Sequence, residues 1–155
     1  MNKNTEILKR AKELLVTRIS KLDEVSNWVD YIVVKDLRSY DPQLLLYKGL
    51  SKEFVISVLR ESREFFKNNS VNNFEDFVNN TLMQKYSSKL GNVLYPIRVA
   101  ISGKTIALPL YESMIILEEF YPGICFERIS NAIRILSMMP ENEQHPKEIQ
   151  NVAGQ

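Results

Sequence analysis

Residues 94–110 read LYPIRVAISGKTIALPL, and the fold turns on how this run is read. By itself it has the pattern of a β-hairpin: Ile97, Val99 and Ile101 alternate, Ser102-Gly103-Lys104 can turn, and Ile106, Leu108 and Leu110 alternate again. It also suits two helices meeting at a glycine corner, with Pro96 in a first turn and Gly103 just past a last one. The run alone supports both readings.

Everything upstream has helical periodicity. Residues 5–20 carry Ile7, Ala11, Leu14, Leu15 and Ile19 at helical spacing, with Lys9, Arg10, Lys12 and Arg18 on the outer face. Residues 23–34 repeat the pattern with Val25, Trp28, Val29 and Ile32. Asp41-Pro42 is a helix start: the Asp side chain can cap, and the proline lacks an N–H where none is needed. The following QLLLYKG predicts a short helix stopped by Gly49. Ser51 is placed to cap the next helix, with an apolar stripe of Phe54, Val55, Val58, Leu59, Phe65 and Phe66. After the polar connector KNNSVNN, Asn73 predicts a further helix over 73–90, with Glu75 and Asp76 at its positive end and Gly91 as its stop. The expected fold class is all-α: two small packed helical bundles, residues 1–70 and 71–139, then a polar, disordered tail over 140–155.

Composition narrows the classes of function. The chain has 155 residues, and 45% of them are apolar, enough for a core. Twenty Lys and Arg against 19 Asp and Glu give a formal charge of +1, so any nucleic-acid contact has to come from a local patch. The single cysteine, Cys125, excludes an internal disulfide framework and fits a reducing cytoplasm. The polar N-terminus is not a signal peptide. No apolar run approaches the roughly 20 residues that span a bilayer, so a cytoplasmic chain with no membrane partner is expected.

Catalytic constellations are hard to find. The one histidine, His145, lies in the expected tail, and one His with one Cys cannot make a usual zinc set. Glu118-Glu119 and Glu141 with Glu143 read as solvated faces rather than acid–base pairs. Gly103-Lys104-Thr105 echoes only the end of a phosphate-binding loop, whose earlier glycine is missing. No catalytic residue and no metal site is assigned, so the chain reads as a binding module.

The motifs within 94–136 are specific. Pro96-Ile97-Arg98-Val99-Ala100-Ile101-Ser102-Gly103, then Leu110-Tyr111-Glu112 up to Leu117, then Arg128-Ile129 to Ala132-Ile133 resemble three successive motifs of one family. These are P-[LI]-R-x-A-[LI]-[TS]-G, L-x-E-x-x-x-L-L and R-[LI]-x-x-A-[LI] in the C-terminal, anticodon-binding half of bacterial glutamyl-tRNA synthetases. VTRISKLDEVSNWVDYIV, residues 16–33, is similar to that family's earlier K-x-R-x-x-x-L-x-E segment. The family's catalytic signatures, H-I-G-H-like and K-M-S-K-S-like, do not occur here. The resemblance therefore implies the all-helical anticodon-binding region, as part of a longer synthetase or as a free-standing relative.

That resemblance also implies a helix for 96–103, begun by Pro96 and ended by Gly103, and another from about residue 110. It implies tRNA contacts for Arg98, which matches an arginine facing the anticodon loop, and for Arg18, a candidate reader of the first anticodon base. Ala107, Leu108 and Leu110 match positions where the family uses small and apolar side chains and backbone groups. The usual Gly-Pro of that corner is Leu108-Pro109 here, so its path can differ. Lys104, Lys85, Lys89 and Arg128 are candidate phosphate contacts or solvated charges. The implied partners are the anticodon loop of tRNA(Glu) and a synthetase catalytic domain, with the chain acting as a monomer. ATP and magnesium are expected only in that catalytic domain, so no cofactor is assigned to this chain. A helical module that binds another RNA or regulates a synthetase is the alternative.

Overall fold

The computed structural model describes residues 3–15, 31, 37, 40–105 and 107–139. Among these residues there is no strand, and the all-α expectation holds. Arg18, the 23–34 helix apart from Tyr31, Glu141, Glu143, His145 and the 140–155 tail lie outside the described residues or on positions not described.

Helix α1 spans Lys3–Leu15 and buries Ile7 and Ala11, four residues apart on one face. A 3₁₀ segment follows at Pro42–Gly49, capped as the sequence indicates: Asp41 accepts from the Gln43 N–H at 2.9 Å. Its end is not a helical stop. Tyr47 (φ −53°, ψ 140°) and Lys48 (φ 66°, ψ 25°) form a type II turn before Gly49. Helix α2 spans Lys52–Asn68, with Ser51 accepting from the Phe54 N–H at 3.1 Å.

The expected helix over 73–90 is found as one continuous right-handed run over residues 74–86, ending earlier than the sequence indicates and carrying a π segment inside it. Short helical pieces α3 (Phe74–Phe77) and α4 (Met83–Tyr86) flank a π turn at Val78–Leu82. Ser87, in the left-handed conformation, ends the run. Helix α5 then spans Leu90–Ser102, so Gly91 belongs to its first turn and Pro96 lies inside it. Tertiary burial explains why α5 starts earlier than the motif implied. Val93 and Pro96 are buried together with Ile97, Val99, Ala100 and Ile101, and that packing outweighs the poor helix propensity of Gly91 and Pro96. Helices α6 (Leu110–Phe120) and α7 (Ile124–Ser137) complete the fold.

The core is continuous across the 67–73 connector. Phe65 and Phe66 of α2 stack with Phe74 and Phe77 of α3 at centroid separations down to 4.6 Å, and Phe74 also meets Tyr111 of α6 edge-on at 6.2 Å. Glu118 is not the solvated carboxylate its sequence context suggests. It accepts from the N–H groups of Gly123 (3.0 Å) and Cys125 (2.8 Å), and so caps the start of α7 across the Pro122-Gly123 turn. Glu119 pairs with Arg10, joining α1 to the end of α6.

Candidate functional site

The corner between α5 and α6 is tightly determined. Gly103 is left-handed (φ 73°), and its N–H donates to the Val99 carbonyl at 2.6 Å. A Cβ there would make an ordinary contact with the Tyr40 ring at 3.4 Å, so it is the left-handed backbone, rather than lack of space, that calls for glycine. Ser102 Oγ donates to the Arg98 carbonyl (2.7 Å) and accepts from the Lys104 N–H (3.0 Å), clasping the turn.

Beneath the corner lies Arg128 of α7, only 3% exposed. Its guanidinium donates through Nη1 to the Ile101 carbonyl (2.6 Å) and through Nη2 to the Tyr31 carbonyl (2.8 Å). The expectation that Arg128 is a phosphate contact or a solvated charge is thereby corrected. It is a buried cation at the C-terminal end of α5, where free carbonyls and the helix dipole favour positive charge. Burial pushes its pKa down from the usual arginine value.

Other sequence-derived candidates divide by burial. Ala107, Leu108 and Leu110 are in the core, with Leu108 only 1% exposed, so these positions can present only backbone groups to a ligand. Lys104 is half-buried at the corner. Lys85 is engaged by Glu61 in an exposed ion pair. Lys89 is exposed just before α5.

Arg98 stands apart. Helix α5 is buried around most of its circumference, but Gly91, Tyr95 and Arg98 remain at least partly open. Their four- and three-residue spacing makes one stripe. Among the described residues, no hydrogen bond or ion pair engages the Arg98 guanidinium, so the pairing with Glu112 weighed from sequence is not found. Its charge is close enough to lower the pKa values of Tyr31 and Tyr111 slightly, against the larger upward effect of burial.

Burial raises the hydroxyls of Tyr31, Tyr40 and Tyr111, that of Tyr111 to about 12 with a further push from Glu75. Unfolded tyrosines ionise near pH 10, at about the value of a free phenol. Above that pH the unfolded chain sheds protons that the folded chain keeps, so stability falls as pH rises. Burial pushes the Cys125 thiol up in the same way, so the denaturation midpoint is expected to begin falling above about pH 8.5, where an unfolded thiol ionises, and to keep falling towards about pH 12, where Tyr111 titrates. Denaturant titrations at stepped pH, with phenolate absorbance followed in parallel, check this.

The sequence signature described as "Anticodon binding domain" matches residues 1–133. The chain belongs to that family. It is also similar to the glutamate–tRNA ligase of Dehalococcoides mccartyi, 31% identical over 140 residues, covering 88% of this chain and 28% of that protein. The corresponding ligase of Herpetosiphon aurantiacus is 30% identical over 128 residues (80% of this chain, 25% of that protein), and that of Clostridium botulinum 30% over 124 (77% and 22%). The chain thus spans about a quarter of the length of these relatives.

Arg98 lies on α5 ahead of its corner with α6, and among the described residues no protein group forms a hydrogen bond or ion pair with its guanidinium. No group of three or more His, Cys, Asp or Glu able to hold a metal occurs among the described residues, and no helix there is long and apolar enough to cross a membrane. Sequence reasoning missed Tyr111 and Tyr31 as neighbours of Arg98. Tyr111 could have been found: it follows the corner by a single residue after Leu110. Tyr31 is distant in sequence and had no such signal.

Proposed function

We propose that this chain is the tRNA-reading part of a glutamate–tRNA ligase or of a close derivative, and that it recognises the anticodon loop of tRNA(Glu). One observation carries the reading: a chain of the anticodon binding domain family holds Arg98 partly open, on the exposed stripe of α5, without a described protein partner. Unstacked bases offer acceptor edges and π faces, and a guanidinium can donate to the first and stack on the second. Backbone groups of the 103–110 corner supply further contacts, because the side chains of Ala107, Leu108 and Leu110 are occupied in the core.

The module contributes affinity and discrimination, and the chemistry belongs to a catalytic domain outside these 155 residues. ATP and magnesium act in that domain. The chain works as a monomer in the cytoplasm, and a covalently joined catalytic domain would raise its weak intrinsic affinity through effective concentration. With a formal charge of +1, its salt dependence is modest, set by a few local cations.

Titrating the chain with tRNA(Glu) transcripts tests this. Changing an anticodon base that is read is expected to weaken binding about tenfold, the scale of one good base contact. Binding that is equal for all anticodons would remove the anticodon-reading role and leave a helical module for another RNA or a protein.

A further inference from the structure

The type II turn at Tyr47-Lys48 is an anomaly. Its third position, with φ 66°, ordinarily takes glycine, and a glycine lies one residue later at Gly49. The chain keeps a lysine there despite the steric cost of the left-handed region. The consequence is an exposed cation and two tyrosines in one place. Lys48 Nζ lies 4.9 Å from the centre of the Tyr95 ring and 5.9 Å from that of Tyr47. The two rings are 5.2 Å apart and tilted by 58°, and Tyr47 is 43% exposed. Leu90, 44% exposed, opens α5 beside Gly91, where an added Cβ would make an ordinary 3.8 Å contact with the Tyr95 ring. Exposed Lys89 precedes them.

This cluster is continuous with the candidate reader. Tyr95 and Arg98 share the open stripe of α5, and at about 1.5 Å of rise per residue they are separated by about 4.5 Å along the axis. A tyrosine face, a second ring supporting it and a lysine ammonium within reach of both rings are the parts of a single-stranded nucleotide platform: the ring stacks a base of any sequence, and the ammonium meets the phosphate.

We infer that Tyr47, Lys48 and Tyr95 form a second RNA contact, in which Tyr47 stacks an unpaired nucleotide next to the one met by Arg98, Tyr95 buttresses Tyr47, and Lys48 engages its phosphate. The inference rests on the tRNA-binding reading above. It predicts a division of labour, with Arg98 discriminating among bases and the tyrosine platform adding affinity whatever the base.

The probe is an anticodon stem-loop RNA carrying 2-aminopurine at successive loop positions, bound to the full chain. Tyr47→Ala is expected to weaken binding about tenfold for cognate and altered loops alike and to abolish the quenching at one position, whereas Tyr47→Phe retains both. Lys48→Gly is expected to leave the thermal midpoint unchanged or raised, while binding weakens and the log–log salt slope falls by about 0.7. Wild-type binding with anticodon preference, but with Tyr47→Ala and Lys48→Gly both within about twofold of it, would overturn this inference and leave the anticodon reading standing. No binding of the wild-type chain to the stem-loop would overturn both.

Discussion

Replacing Arg128 with alanine is expected to destabilise the chain by about 3–6 kcal/mol, because each hydrogen bond from a charged donor contributes ~1.5–3 kcal/mol and two are lost together. The carbonyls of Ile101 and Tyr31 would be left in the interior without these donors, and a cavity would open where the side chain lay. For a domain of this size the thermal midpoint should drop by on the order of 10 °C. Arg128→Lys should recover little, since one ammonium cannot reproduce a planar fork reaching two carbonyls in different segments. Denaturant unfolding of the three proteins measures this, and a loss below about 1 kcal/mol for alanine would contradict the bridging role. Some RNA affinity should be lost as well, because Ile101 lies immediately before the corner.

The second large effect is on binding. Arg98→Ala should reduce affinity for the cognate anticodon loop by about 10- to 100-fold, the upper range for a well-placed guanidinium–base contact. It should reduce affinity for an altered loop much less. Stability should change little, since no described protein group accepts a hydrogen bond from this guanidinium. Arg98→Lys should keep part of the electrostatic attraction and lose the discrimination, because a lysine neither forks nor stacks. Direct titration with stem-loop RNA, alongside thermal unfolding of each variant, separates these readouts.

How far these features could be read in advance depended on how local their causes are. Asp41 and Ser51 cap the segments that follow them because a cap is decided within three residues. Gly103 ends α5 for an equally local reason, the left-handed conformation. The hairpin pattern of 94–110 was misleading because Ile97, Val99 and Ile101 are all buried on a helix enclosed on most sides, where alternation carries no information. Gly91 and Pro96 marked boundaries by propensity, and the core packing of α5 overrode both.

Non-local features were illegible. Arg128 reaches partners 27 and 97 residues away, and nothing around its own position marks it as buried. Glu118 caps a helix that begins after an intervening turn, so its role appears only once α6 and α7 are placed. At the candidate site, Arg98 stood out through its motif, while the burial of Ala107, Leu108 and Leu110 depended on contacts from the whole fold. The Tyr47-Lys48 turn looked like a helix ending at Gly49, because the same residues serve either ending and only the dihedral angles distinguish them.

The most direct test of the account is a double-mutant cycle between Arg98→Ala and single-base changes in the anticodon of a tRNA(Glu) transcript, read as binding affinity of the full chain. The account predicts that at one anticodon position the two changes are strongly non-additive, with a coupling of about 1–3 kcal/mol, because each removes the same contact. Additive losses at every anticodon position would show that Arg98 reads none of them and would contradict the account.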